Sequence, residues 1–381
     1  MNKFLLILVL FPFLISSSCE PEKHNVVRSF CFWKTSLSLD EKDDTLVNKM
    51  KIKHFYVRYF DVDYNPYRKQ ALPLASIRYV NFNKTNAQFT PSIFITNDVV
   101  LKSSKSQLDS LAKQIAIRIN KISENYFIQT ATNYANKIAD EDFQKQVGDV
   151  KIRMDIEPII AKRKLELQKN IQDILIDCDW SEKSKDNYFY LLKQIKSKFP
   201  SYKIEATIRL WQYKYFEKSG IPPVDSGLLM CYNMTNPESR TTENSIGTNN
   251  DLEKYIVHDK YKLKLNIALP LYSWSLVFRG DKFKGILSND IDFSRDETVF
   301  KKSGDNKFIL QDDIRLGSMY LRNGDEIRIE KISDSEIQNM ISTLTDKIKI
   351  DDATRISFFS FDKKYINDYG TQNISNYFSQ F

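Results

Sequence analysis

The fold turns on the stretch Gln172-Asp173-Ile174-Leu175-Ile176-Asp177-Cys178-Asp179-Trp180. Its centre is continuously apolar, as a strand covered on both faces must be, and not alternating as a one-sided strand would be. Strands of that kind belong to parallel sheets with helices between them. Working outward, seven more β-rich runs recur: 28–35, 54–61 and 91–96 before it, and 203–209, 227–233, 264–272 and 355–361 after it. The segments between carry helical spacing. Leu108, Leu111, Ile115, Ile119 and Ile122 make one stripe, and Leu191, Leu192, Ile195 and Phe199 another. Eight strands alternating with helices predict an α/β architecture closed into a (β/α)8 TIM barrel. Two stretches exceed a minimal barrel. Residues 128–170 are long, charged and helical in pattern, which reads as a helical excursion before strand four. Residues 289–346 hold Gly-bearing turns such as Arg322-Asn323-Gly324-Asp325 and short alternating runs, which reads as a small insertion subdomain between strands seven and eight.

Barrels of this class place their chemistry at the C-terminal ends of the strands. There the fourth run offers Asp177 and Asp179, which alternation puts on one face. Two carboxylates so close repel, and one titrates high unless a cation or donor intervenes. That arrangement tunes acid–base or electrostatic work. The structural alternative is an ion pair, and Arg58 on the second run and Arg209 on the fifth are available for it. Glu205, Thr207 and Arg209 alternate onto one face and read as a polar layer inside the barrel. Arg58 and Asp61 fall on opposite faces, where a structural salt bridge competes with a ligand contact. Trp274, just past the seventh run, is either a stacking platform for a sugar ring or packing at the barrel mouth. Asn233 and Gln212 either hydrogen-bond a ligand or cap loops.

In chain order, three strand ends carry a resemblance. They are Ile176-Asp177-Cys178-Asp179-Trp180, Leu229-Met230-Cys231-Tyr232-Asn233 and Ala268-Leu269-Pro270-Leu271-Tyr272-Ser273-Trp274. Together they resemble the family 18 glycoside hydrolases, the chitinase-like barrels, with their DxxDxDxE, MxYD and Pro-x-Tyr motifs. Phe32-Trp33 and the strand at His54 also resemble the opening of that family. The likeness runs over the chain but is thin between motifs. It implies substrate-assisted hydrolysis of N-acetylated glycans. Asp179 would orient the acetamido group, Asp177 would tune Asp179, and Tyr232 would hydrogen-bond the acetamido oxygen. Trp274, Asn233, Tyr272, Arg209, Arg58 and Gln212 would contact substrate. The sequence departs from the pattern where it matters most, because Ser181 occupies the position of the catalytic acid. Glu182 stands one residue late, and the first Asp of the motif falls on Ile174. General acid catalysis contributes roughly 10²–10⁴-fold, so the departure opposes two readings, an enzyme and a glycan-binding relative without activity. A structural or assembly lipoprotein of the envelope is a third. The stretches 176–180, 206–214, 222–236 and 268–274 also look like a group of uncharacterised Bacteroidetes lipoproteins.

The N-terminus fixes the expected compartment. Lys3 precedes a near-continuous apolar run over 4–15, then Ser16-Ser17-Ser18-Cys19. The run is shorter than the roughly 20 residues that span a bilayer, so 1–18 reads as a cleaved lipoprotein signal with Cys19 as the lipidated residue. The mature chain, 19–381, would be tethered to the cell envelope, on a periplasmic or surface face, by that lipid. Cys31, Cys178 and Cys231 sit in apolar runs without CxxC spacing, so no disulfide framework and no metal site is expected. His24, His54 and His258 are the only histidines, few bases for a nucleophilic triad. Apolar residues make up 42% of the chain, enough for a large core. The net charge of +7 comes from 56 basic and 49 acidic residues dispersed among one another, so nucleic acid is not expected as a partner. No cofactor is implied. The 20 Tyr, 25 Phe and four Trp supply core packing and, as a second use, faces for sugar rings.

Overall fold

A computed structural model describes residues 24–82, 87–146, 151–257, 261–287 and 291–381. The signal at 1–18 and Cys19 lie outside the described residues. Eight parallel strands form one closed sheet: β1 (Val27–Phe32), β2 (His54–Asn65), β3 (Gln88–Ile95), β4 (Asp173–Cys178), β5 (Lys203–Arg209), β6 (Ser226–Met230), β7 (Leu265–Pro270) and β8 (Arg355–Phe359). Each pairs with the next, and β1 closes the ring by pairing with both β8 and β2. The protein is a (β/α)8 barrel, and each strand falls on one of the eight runs read from the sequence. The continuous apolar runs have the expected cause: every residue of β4 and of β7 is buried.

The barrel interior is polar toward the N-terminal ends of its strands. Glu205, fully buried, accepts hydrogen bonds from the Tyr56 hydroxyl (3.0 Å) and from Asn266 Nδ2 (2.6 Å). Arg355 pairs with both Asp173 and Glu205 across the lumen. His54, beside them, bridges Ser29 Oγ (2.8 Å) and Thr90 Oγ1 (2.9 Å). Burial holds its imidazole well below the ordinary value, so it stays neutral. Glu205 takes its place in the expected polar layer, joined by residues of six other strands, whereas Thr207 bonds to Asp177 and the Cys178 backbone instead.

The excursion before β4 is a helical arm. One helix, Lys105–Lys145, runs unbroken for 41 residues, about 60 Å. It is capped at its start by a reciprocal pair, Ser104 with Gln107. Leu108, Leu111, Ile115 and Ile119 face the barrel core. At Tyr126, which packs edge-on against Phe89 near the start of β3 (5.2 Å), the helix has reached the N-terminal end of the barrel. Beyond it, Ala131, Ala135 and Ala139 are buried where Glu157–Gln168 returns alongside. The excursion therefore has no separate start at 128.

The insertion differs in its bounds from the expected 289–346, and 289 itself lies outside the described residues. Strand β7 leads almost directly into Ser273–Arg279, the first strand in chain order of a five-stranded antiparallel sheet whose central and last strand is Glu326–Lys331. It encloses its own core of Val277, Leu287, Phe293, Phe300, Phe308, Leu310, Leu321 and Ile327. Asp334–Lys347 belongs to the barrel instead: Ser333 caps it, and Ile337, Met340, Ile341 and Leu344 join the main core. The sequence hid the boundary because 273–279 continues the β pattern of strand seven.

Candidate functional site at the barrel mouth

The C-terminal ends of β4 and β5 carry the polar heart of the mouth. Asp177 is buried and accepts a hydrogen bond from Thr207 Oγ1 at 2.7 Å. That oxygen in turn accepts from the Cys178 backbone N–H at 3.3 Å, which directs the Thr207 proton at Asp177. Burial, reinforced by the Asp179 charge, pushes the Asp177 carboxyl up to about 6. Asp179 is gripped through both oxygens by the Arg209 guanidinium, with Nη2 to Oδ2 at 2.6 Å. Of the two available arginines, the ion pair expected for the aspartates falls to Arg209. Its guanidinium is therefore committed to Asp179.

Arg58 makes its own pair, with Nε 2.7 Å from Asp61 Oδ1. The expected opposite faces are corrected here. A bulge between Arg58 and Phe60 breaks the alternation of β2 against β3, so residues 58 and 61 meet. Gln212 is fully buried between backbone groups: its oxygen accepts from Arg209 N (2.8 Å) and its nitrogen donates to Trp180 O (2.9 Å). It holds the β5 end against the β4 end, and it is not free for a ligand. Trp180 is likewise buried, stacked on Tyr188 at 5.0 Å, with its indole N–H on Ser219 O.

An aromatic wall completes the mouth. Tyr232 stacks on Phe359 at 5.1 Å, and Tyr272 meets both rings edge-on. Trp33 leans on Phe359 at 5.7 Å. The Tyr232 hydroxyl lies close enough to Asp177 and Arg209 to sense both charges, and burial holds its pKa well above the ordinary value. Asn233, exposed and at positive φ, accepts from the Tyr272 hydroxyl at 2.5 Å. Trp274 stands edge-on to Tyr272 at 5.5 Å, and its indole donates to Glu330 Oε2 at 2.7 Å. Phe359 escaped the sequence reading, although alternation along 355–361 would have turned it inward at the strand end.

Ser181 and Glu182 lie in the turn that opens the helix Lys185–Lys198. Ser181 N–H donates to Ser184 Oγ at 2.9 Å. Glu182 is exposed, and none of the described hydrogen bonds or ion pairs ties it to Asp177 or Asp179. The mouth thus gathers Asp177, Asp179, Arg209, Tyr232 and Tyr272, while Glu182 stands apart. Cys31, Cys178 and Cys231 are buried free thiols. Among the described residues no cluster suits a metal ion, and no helix is long and apolar enough to cross a membrane.

No protein-family model and no curated protein matches the sequence. Among solved structures, the chain is similar to the Bacillus cereus spore cortex-lytic enzyme SleL at 14% identity and a TM-score of 0.45, over 94% of this chain and 75% of that one. It is similar to a xylanase-A-amylase inhibitor protein at 9% identity and a TM-score of 0.39, over 93% and 98%. It is also similar to the Ignisphaera aggregans GH53 catalytic domain at 10% identity and a TM-score of 0.35, over 88% and 84%. Likenesses this distant carry no argument about chemistry, and the barrel assignment rests on the closed ring of eight parallel strands.

Proposed function

We propose that the barrel mouth is a glycan-binding cleft, suited to N-acetylhexosamine units, in an envelope lipoprotein anchored through Cys19. The observation that supports it most is the pairing of an aromatic wall (Trp33, Tyr232, Tyr272, Phe359) with the Asp177–Asp179–Arg209 group at the strand ends. Trp33 and Phe359, half-buried, offer flat faces beside fixed hydrogen-bonding groups, which is what a sugar ring needs from a protein, while Tyr232 and Tyr272 are buried. Binding without cleavage is the favoured form. Ser181 stands where the resembling family has its acid, and Arg209 holds both oxygens of Asp179. Titrating chito-oligosaccharides into the protein tests this. Trp33→Ala should weaken binding about fivefold, since one aromatic contact contributes on the order of 1 kcal/mol. No affinity across a broad glycan array would sink the proposal.

One observation favours a second form, slow hydrolysis. With its carboxyl near 6, Asp177 keeps a proton over part of the neutral range and offers a donor where Ser181 cannot. Release of aryl groups from chitobiosides, lost in Asp177→Asn, would establish that form. The anchor is tested separately: incorporated labelled palmitate should vanish in Cys19→Ala.

A further inference from the structure

At the end of the barrel opposite the mouth, a cavity of about 400 Å³ opens between the loops that lead into β7 and β8. Among the described residues, Lys262, Lys264, Lys347 and Lys349 line it against a single acid, Asp351. Asp351 is already paired with Lys264 at 2.8 Å. Lys262, Lys347 and Lys349 are exposed and, among the described residues, without ion-pair partners. The helix-end dipole accounts for Lys347, which closes the helix Asp334–Lys347. It does not account for Lys262 or Lys349, which lie outside any helix. Tyr261 lines the same cavity with a buried hydroxyl that has no hydrogen-bond partner among the described residues, so a polar occupant suits it better than an apolar one.

The position of the cavity says what that occupant is. Asp352, next to the lining residue Asp351, accepts from Asn25 N at 2.9 Å, so the chain enters the barrel on this side. The cavity lies two strands away, about 10 Å round the sheet. Cys19 is five residues before His24, a reach of at most about 17 Å.

We propose that this lysine-lined cavity seats the phosphate of an anionic phospholipid headgroup in the membrane that holds the chain. The proposal rests on the anchored-lipoprotein reading for its setting, and not on the mouth binding glycans. A lipid on Cys19 supplies proximity, and three lysines supply a preference for negative surface, about fivefold in affinity each. The two together satisfy the need of a stable anchor for a second signal.

The test uses the chain from Glu20 onward, which keeps every described element and lacks the lipid. It is sedimented with vesicles of phosphatidylcholine alone and of phosphatidylcholine with phosphatidylglycerol. Binding should appear only with phosphatidylglycerol and fall with added salt. Replacing Lys262, Lys347 and Lys349 together by Ala should weaken it on the order of 100-fold. Replacing the exposed Lys282, Lys301 and Lys302 of the insertion should not. Equal binding to both vesicles, or equal loss in both triple variants, overturns the proposal. So does inorganic phosphate that binds the cavity while anionic vesicles do not. Glycan titration of the same samples and palmitate labelling of the full chain report independently, so failure here is distinguishable from failure of the mouth or of the anchor.

Discussion

At the scale of single residues, the mouth is governed by one buried carboxyl and the groups that surround it. Asp177 moves from an ordinary 3.8 to about 6 because burial, then Asp179, disfavours its charge. The folded state therefore binds this proton more tightly than the unfolded chain, and stability falls as pH rises from about 4 to about 6. Above that range the native state carries a cost on the order of 3 kcal/mol. Asp177→Asn keeps an oxygen for the Thr207 hydroxyl and never ionises. Its melting temperature should exceed that of the parent at pH 8, with the gain shrinking toward pH 4; a gain independent of pH would exclude the titration of Asp177 as its source. Gln212 makes a simpler case, since truncating its buried amide leaves Arg209 N and Trp180 O without partners. Gln212→Ala should cost about 1–3 kcal/mol in denaturant midpoint shifts. The period of two made the aspartates and an arginine partner legible in the sequence. Which arginine was not legible, because a bulge in β2 redirected Arg58, and bulges leave no mark in hydrophobic pattern. Gln212 was legible as either a ligand contact or a cap, and it is the cap, accepting from Arg209 N at the start of the short helix Leu210–Lys214; five residues of helix give no periodicity from which its burial could be read.

At the scale of elements, what was legible followed the strength of periodicity. The eight barrel strands are doubly covered, and their apolar runs announce this. The arm was legible as helix but not as a continuation of Lys105–Lys145, because its inner stripe changes from Leu and Ile to Ala where the partner changes from barrel to helix. Ala131, Ala135 and Ala139 are fully buried and let Glu157–Gln168 approach closely. Ala135→Leu should overpack that seam at about 1–3 kcal/mol. The loss should be local: hydrogen exchange should quicken within 127–168 while β4 and β7 keep their protection. The insertion is fastened more firmly. Glu330, fully buried, takes Arg328 Nε at 2.8 Å, Ser245 N–H at 2.8 Å and the Trp274 indole at 2.7 Å. Arg328 reaches on to the carbonyls of Pro237 and Ser239. The loop after β6 and the insertion are thereby one wall beside the mouth, and Trp274 spends its indole N–H within that wall.

At the scale of the whole molecule, a closed barrel has no edge, so its stability depends on what fills the lumen. Here charge fills much of it. Arg355 from β8 reaches Asp173 on β4 and Glu205 on β5, and Glu205 gathers Tyr56 from β2 and Asn266 from β7. Five strands meet at one guanidinium. Burial raises the Glu205 carboxyl, and Arg355 opposes the shift, so the arginine is what keeps this buried acid tolerable. Removing one partner of such a set leaves uncompensated buried charge, which costs roughly 3–5 kcal/mol. Arg355→Met keeps much of the side-chain volume and removes only the charge and its hydrogen bonds. Its urea midpoint should drop by that amount in one transition, coincident by tryptophan fluorescence and far-ultraviolet dichroism, because every strand of the ring depends on closure. Lys264→Ala, which removes the exposed pair with Asp351 at the same end of the barrel, should cost less than about 1 kcal/mol. A loss of equal size in both variants would mean that the lumen network contributes no more than a surface ion pair, and that apolar packing between strands and helices closes the barrel unaided.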